Sequence, residues 1–287
     1  MKKLFILMSI ILLLIIGGCA PDPGNITTDD GTAVITEDYL MQVAKGNIEG
    51  AYLVHKFGAN GAVGSTLEPI TTTGFYRTPQ TAASLEILSS DADDDVAGLG
   101  ARKVMVIGLN ASGHQVSEEV SLDGTTPVTL TNTYLRIYRA YVTESGTYAT
   151  QSLSSQQGII TIRGVGGGQT WAQIDNIAGF GVGQTEIGVY TIPKGYECYL
   201  LKKVMSVNSV KAADLYFFQK QNITKTTAPY APVRLVEKHI GVQGVQEINS
   251  RSSITMFPEL TDVGFMGKSS TSAEISVEFE LLCESIN

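Results

Sequence analysis

The chain has 287 residues, enough for one large domain or two ordinary ones. Charged residues make up 17% of it and it holds 30 glycines, a composition that favours a β-rich scaffold with many turns over a helical enzyme or a disordered tail. The net charge of −8 argues against a nucleic-acid partner, because phosphate contacts need clustered Lys and Arg.

The N-terminus has the pattern of a secretory signal peptide, predicted over residues 1–19. Lys2 and Lys3 precede the apolar run Leu4–Ile16, which is too short for a transmembrane helix of about 20 residues. The run ends in Gly17-Gly18-Cys19, which resembles a bacterial lipobox, in which the Cys becomes the lipidated mature N-terminus. Cys19 is therefore a predicted lipidation site and lipid anchor. A plain signal peptide with an incidental Cys is the alternative.

Residues 20–47 are predicted to form a polar tether that carries one short helix. The helix is expected over Glu37–Ala44, with Thr36 as its N-cap and acidic residues in the first turn. The following segment, Asn47–Gly74, is Gly-rich, and a strand is expected in it at Ala51–Phe57. A first β-sandwich domain is predicted over residues 48–165.

The stretch from Lys103 to Arg163 reads as strands joined by turns. The breaks Asn110–Gly113 and Asp123–Thr126 contain Asn-x-x-Gly and Asp-Gly, which tolerate the positive φ that tight hairpins need. The runs between these breaks are rich in Val, Ile, Tyr and Thr. The predicted strands are Lys103–Leu109, Gln115–Leu122, Tyr134–Val142 and Gly158–Arg163.

Gly164–Thr170 holds four glycines among seven residues and is predicted as a domain boundary. A second β-sandwich domain is expected over residues 169–287. Its predicted strands are Glu186–Ile192, Tyr196–Val207, Leu215–Gln221, Val233–Ile240, Ile254–Phe257, Val263–Met266 and Glu274–Cys283. The predicted fold is thus all-β, with two β-sandwich or jelly-roll-like halves after a signal helix and tether.

The run Gly98–Val142, GLGARKVMVIGLNASGHQVSEEVSLDGTTPVTLTNTYLRIYRAYV, resembles a family of tailed-phage virion structural proteins of the marine phage type. That family carries a segment of the form GTGAR-strand-GLDANG-strand-TVTLNGTT-strand-FLRINRAYV. VHKFGANGAVGSTLEPI upstream and VYTIPKGYECYLLKKVMSV downstream are similar to it too, so the resemblance covers roughly Asn47–Leu282.

The resemblance implies a non-enzymatic virion component of the head-decoration or tail/fibre class. Its implied partners are copies of itself and other virion proteins, and its implied location is the virion. The predicted signal peptide fits poorly with a location in the virion, because most phage structural proteins assemble in the cytoplasm and carry no export signal. The alternative is a bacterial surface lipoprotein, anchored to the cell envelope, that uses a β-sandwich scaffold to bind glycan or protein.

Asp91, Asp93 and Asp95 place carboxylates at alternate positions, and Ca²⁺ favours oxygen ligands. An EF-hand needs Gly at its sixth position and Glu at its twelfth, where this chain has Val96 and Arg102. A solvated acidic turn is therefore favoured over a metal site. Gly267-Lys268-Ser269 lacks the first glycine of a phosphate-binding loop, and no metal or cofactor is predicted.

His55, His114 and His239 lie in separate segments without a neighbouring nucleophile motif, so no catalytic residue is predicted. Cys198 and Cys283 would form a disulfide in an oxidising compartment if their strands are neighbours. They would stay free if the protein is assembled in the cytoplasm, and free thiols are favoured here.

One predicted strand is crowded with Tyr and Arg, which are enriched at protein interfaces. It is therefore a candidate contact surface for a partner subunit. The alternative is a set of aromatic residues half-buried on a sheet, with arginines at its rim. The residues concerned are Tyr134, Arg136, Tyr138, Arg139 and Tyr141.

Overall fold

The chain divides into two compact units, residues 1–49 and 50–287. The computed structural model describes residues 25–27, 33–35, 38–152, 154–177, 179–225, 227–249 and 255–286. The predicted signal peptide, its lipobox Cys19 and most of the tether lie outside these ranges. No helix among the described residues is long and apolar enough to cross a membrane.

The first unit contains a two-stranded antiparallel sheet and a short helix. Strand β1 (Asn25–Thr27) pairs with β2 (Ala33–Ile35), and helix α1 spans Tyr39–Ala44. The N-cap is Asp38, whose carboxylate accepts a hydrogen bond from the Leu40 N–H at 2.9 Å. The helix therefore begins two residues after the predicted start, and the expected cap Thr36 lies outside the described residues.

The second unit is built almost entirely from antiparallel strands, as the composition predicts. One short helix, α2 (Tyr148–Ser152), interrupts them. The strands are β3 Ala51–Val63, β4 Glu68–Pro69, β5 Ala83–Ser89, β6 Ala101–Leu109, β7 Gln115–Ser121, β8 Val128–Tyr134, β9 Arg136–Ser145, β10 Ile160–Gly164, β11 Thr170–Ile177, β12 Phe180–Thr185, β13 Val189–Thr191, β14 Tyr196–Val207, β15 Ala213–Lys220, β16 Arg234–Val242, β17 Gly244–Asn249, β18 Met256–Phe257, β19 Asp262–Lys268 and β20 Ala273–Ser285.

Eight of these strands form one sheet, here called the large sheet, in the order β7-β6-β9-β12-β11-β10-β5-β8. Its apolar side chains form a separate core around Leu85, Val106, Tyr134 and Trp171. The two edge strands meet through a side chain, because the Glu118 carboxylate on β7 accepts hydrogen bonds from two main-chain N–H groups of β8. The large sheet is therefore nearly closed on itself.

The remaining strands form a sandwich of two five-stranded sheets. Sheet 2 has the order β13-β19-β15-β16 with β4 beside β19, and sheet 3 has the order β17-β14-β20-β3 with β18 beside β14. The sheets pack through aromatic rings: Phe217 of β15 lies 5.6 Å from Phe279 of sheet 3, and 4.9 Å from Phe265 on the neighbouring strand of its own sheet, measured between ring centroids. Edge-to-face contacts of this kind add to the burial of apolar area.

The sheets do not follow the predicted division into residues 48–165 and 169–287. Gly164–Thr170 forms the turn between β10 and β11, which pair within the large sheet. Its glycines serve that turn, since Gly166 and Gly167 have φ of 77° and 78°. Strand β3, assigned by sequence to the first half, pairs with the last strand β20 in sheet 3. The large sheet is thus an insertion between the first and later strands of the sandwich.

Candidate functional site

The predicted acidic turn is held by its own carboxylates. Asp91 accepts a hydrogen bond from the Asp93 N–H, and Asp95 accepts one from the Ala97 N–H, each at 2.9 Å. Such bonds stabilise turns locally. Within the described ranges, no group of three or more His, Cys, Asp or Glu side chains is placed to hold a metal ion.

Asp94, between the three candidate ligands, is the residue of this segment that the fold depends on. Its side chain is fully buried and accepts four hydrogen bonds. The donors are the Ser89 hydroxyl (2.5 Å) and the N–H groups of Ala101 (2.7 Å), Gln157 (2.9 Å) and Gly158 (2.8 Å). This carboxylate therefore connects three segments of the large sheet. The alternating pattern of Asp91, Asp93 and Asp95 in the sequence does not point to Asp94.

The strand proposed as an interface is mostly buried within the chain. Tyr134, Arg136 and Tyr138 are at most 4% exposed, so they are not available to a partner subunit. Arg139 is exposed and its guanidinium lies over the Tyr141 ring, 5.3 Å from the centroid. The aromatic residues therefore pack on a sheet, as the alternative interpretation expects, but Arg136 lies in the interior and not at the rim.

Arg136 belongs to a buried polar network between the large sheet and sheet 2. Its guanidinium pairs with the Asp262 carboxylate, which also accepts a hydrogen bond from the Thr191 hydroxyl at 2.6 Å. The Tyr76 hydroxyl lies 2.5 Å from that hydroxyl, and burial raises the pKa of Tyr76. The Arg136–Asp262 pair joins the large sheet to sheet 2, and the hydroxyl of Thr191 completes the hydrogen bonding of the carboxylate.

A buried lysine makes a polar connection between the large sheet and sheet 3. The Lys56 ammonium group on β3 donates a hydrogen bond to the main-chain carbonyl of Tyr138 on β9, at a register shift in the β6–β9 pairing. Burial, together with the nearby Arg139 charge, lowers the pKa of Lys56 to about 7. The spacing of residues in the sequence gives no sign of this contact.

Cys198 and Cys283 form a disulfide, contrary to the preference for free thiols. They lie directly opposite each other on β14 and β20, and both are fully buried. The strands become neighbours because the C-terminal strand inserts between β14 and β3, which local sequence does not reveal.

The three histidines lie on separate elements. His55 on β3 is exposed and lies 3.5 Å from Glu278, and His114 is exposed at the end of a turn. His239 on β16 lies 3.1 Å from Glu237. Among the described residues, none of them lies in a hydrogen-bonded arrangement with a Ser or Cys nucleophile.

A cavity of about 600 Å³ lies where the large sheet meets sheet 3. Asp175, Glu186 and Glu274 give it an acidic lining, and the Phe57 side chain forms part of its wall. Burial, and then the nearby Asp175 carboxylate, raise the pKa of Glu186. Carboxylates and hydroxyls beside one ring can bind a polyhydroxylated ligand, so this cavity is a candidate binding site.

Several exposed apolar residues lie at the open side of the sandwich. There β16 is an edge of sheet 2 and β17 is an edge of sheet 3, and the chain passes directly from one to the other. The exposed apolar residues along this side, here called the edge patch, are Val233, Leu235, Ile240 and Val245, each more than half exposed. Exposed apolar patches mark interaction surfaces.

No protein-family model matches the chain, and no curated protein matches it. Solved structures give faint similarities. The T=1 particles derived from infectious bursal virus share 12% identity over 83% of this chain and 74% of theirs, with a TM-score of 0.19. The structure of infectious bursal disease virus Gx strain has a TM-score of 0.23, at 12% identity over 92% and 75% of the two chains. The exported protein XepA of PBSX has a TM-score of 0.18, at 9% identity over 91% and 93%. Scores this low establish neither a shared fold nor a shared function.

Proposed function

We propose that this chain is a non-enzymatic structural protein of a tailed-phage virion that assembles with copies of itself. The observation that carries the proposal is the edge patch. Four apolar side chains more than half exposed to water on or beside two edge strands are costly for a monomer, and contacts with other subunits would remove them from water.

Two further features support the proposal. The run that resembles phage virion proteins, Gly98–Val142, forms the consecutive strands β6, β7, β8 and β9 of the large sheet, with turns at its Asn-Ala-Ser-Gly and Asp-Gly segments. The buried charged groups Asp94, Arg136 and Lys56 all connect separate elements of the fold. Internal cross-connections of this kind suit a protein with a mechanical role.

The edge patch is tested by placing a charge on it. Ile240→Lys and Val245→Lys are expected to shift the purified protein from oligomer to monomer in analytical ultracentrifugation, since a lysine on a buried contact surface is unpaired. Val96→Lys is the matched control, because Val96 is equally exposed but lies in the acidic turn of the large sheet. A monomeric wild-type protein, or equal loss with the control, would contradict the proposal.

A surface lipoprotein that binds glycan is the second candidate, and two observations favour it. The lipobox-like Cys19 and the buried disulfide both suit export. The acidic cavity would then be the glycan site. Mass spectrometry of the native N-terminus decides between the two functions: stoichiometric peptides in purified particles support the virion protein, and a diacylglyceryl Cys19 in host membranes supports the lipoprotein.

A further inference from the structure

Lys203 is a charged side chain in the interior of the sandwich. It lies on β14 of sheet 3, is fully buried, and its Nζ lies over the Phe217 ring, 5.5 Å from the centroid. Opposite it on the neighbouring strand stands Phe279, another ring of the aromatic core. The amine is therefore surrounded by apolar groups and shielded from water.

The Lys203 side chain crosses from one sheet to the other. Its Nζ contacts the Oε1 atom of Glu237, which lies on β16 of sheet 2. The second carboxylate oxygen, Oε2, lies 3.1 Å from the Nε2 atom of His239. An amine, a carboxyl group and an imidazole are thus in direct contact, in this order, at the edge of an aromatic core.

The ammonium group of Lys203 is costly at this position, because a fully buried charge has lost its water and its partner Glu237 is itself 32% exposed. An amide has no net charge, so joining the groups would relieve the cost. The fold also holds them in contact, and such proximity can equal effective concentrations of about 10⁵ M or more. Condensation is therefore expected to be much faster here than between the same two groups free in water.

We propose that Lys203 and Glu237 become joined by an amide bond that the folded protein forms by itself. The Nζ lone pair attacks Cδ of Glu237, the N–C bond forms, and the bond from Cδ to Oε2 breaks. Ammonium and carboxylate together give the amide and one water molecule, so no oxidant or cofactor takes part. The ammonium group first gives one proton to the carboxylate, and His239 then accepts the second proton from the attacking amine and delivers it to Oε2, the oxygen that it contacts, so that this oxygen leaves as water.

The bond would connect the two sheets of the sandwich covalently. The disulfide between Cys198 and Cys283 joins two neighbouring strands of sheet 3 and leaves sheet 2 unattached. A Lys203–Glu237 amide would attach sheet 2 covalently to sheet 3, and reducing agents would not cleave it. The chain would then resist unfolding even in a reducing medium.

Mass spectrometry tests the proposal directly on the full chain. A protease digest of the reduced protein is expected to contain one branched peptide that joins Lys203 to Glu237, lighter than the two linear peptides by the mass of one water. The surface pair Lys202 and Glu247, 3.2 Å apart but exposed, is the internal control and is expected to stay linear. Linear peptides alone from folded wild-type protein, after prolonged incubation, would overturn the proposal.

Three variants separate the chemistry from folding. Glu237→Gln is expected to give the identical branched peptide, because ammonia then leaves in place of water. Glu237→Ala is expected to give none, and His239→Ala is expected to form the branched peptide at least tenfold more slowly while keeping the wild-type circular dichroism spectrum. A branched peptide formed at the wild-type rate by His239→Ala would remove His239 from the mechanism. Its formation by Glu237→Ala would show that another acceptor is used.

Discussion

The guanidinium of Arg136 on β9 lies 3.0 Å from the carboxylate of Asp262 on β19, and each side chain is 1% exposed. The residues are 126 positions apart in the chain, and their contact joins the large sheet to sheet 2. A buried pair of this kind contributes little net stability, yet removing one partner leaves an uncompensated charge in the interior. The pair therefore makes the docking of the two parts specific.

Arg136→Met is expected to lower the free energy of unfolding by about 3–5 kcal/mol, because Asp262 then stays buried without its partner. The double variant Arg136→Met with Asp262→Leu is expected to lose clearly less than the single variant. Urea unfolding followed by fluorescence of Trp171 measures both. A double variant less stable than Arg136→Met would show that the ion pair itself, and not the unpaired charge, carries the energy.

Because the pKa of Lys56 is lowered in the folded protein, we expect the stability of the protein to depend on pH. Its pKa is about 7 in the folded protein, whereas the ordinary pKa of a lysine, 10.5, applies to the unfolded chain. Between these two values the unfolded chain binds more protons than the folded one. Stability is therefore expected to rise with pH from about 7 to about 9, below the range in which tyrosines ionise. Urea unfolding at several pH values measures the slope.

The matched variants are Lys56→Met and Lys202→Met. Lys56→Met is expected to remove most of the increase of stability with pH, because the group that titrates is gone. Lys202→Met, at a partly exposed position, is expected to show the same increase as the wild type. The same slope in wild type and Lys56→Met would refute the assignment of this pH dependence to Lys56.

The hydrogen bonds of Glu118 are expected to hold the two edge strands of the large sheet together. Its carboxylate accepts hydrogen bonds from the N–H groups of Thr131 at 2.7 Å and Asn132 at 3.0 Å, and from the Tyr134 hydroxyl at 2.8 Å. In Glu118→Ala the amides of Thr131 and Asn132 are expected to exchange with deuterium at least severalfold faster, while those of β6 keep their protection. Glu119→Ala is the control, because that carboxylate lies 4.0 Å from Lys103 on the neighbouring strand β6. Unchanged exchange at both amides would mean that the edges are held by other contacts.

Replacing Asp94 is expected to lower the stability of the protein strongly, whereas replacing its neighbour Asp93 is expected to have almost no effect. Asp94→Ala is expected to cost more than about 3 kcal/mol of stability, because three buried N–H groups lose their acceptor at about 1–3 kcal/mol each. Asp93→Ala, one residue away and exposed, is expected to change stability by less than about 0.5 kcal/mol. Thermal unfolding of both variants tests this, and equal effects would contradict it.

The sequence determined the class of fold and many of the strands of this protein. Strands such as β7 and β20 were predicted within a few residues, because alternation of apolar and polar side chains and Asn or Gly at turns are local signals. Strands β8, β11, β12 and β17 were missed. Their runs are rich in Thr, Asn, Gln and Gly, and they are strands because neighbouring strands pair with them.

Tertiary structure alone decided how the strands are shared among sheets and which polar residues matter. Pairing of β3 with β20 joins the two ends of the second unit, and no local pattern records which distant strand completes a sheet. The same holds for Asp94, Arg136, Lys56 and Lys203, whose partners lie on other elements. A buried charge is costly until its partner is in place, so its role depends on the three-dimensional contact, whereas hydrophobic periodicity and turn chemistry act between near neighbours and can be read from the chain itself.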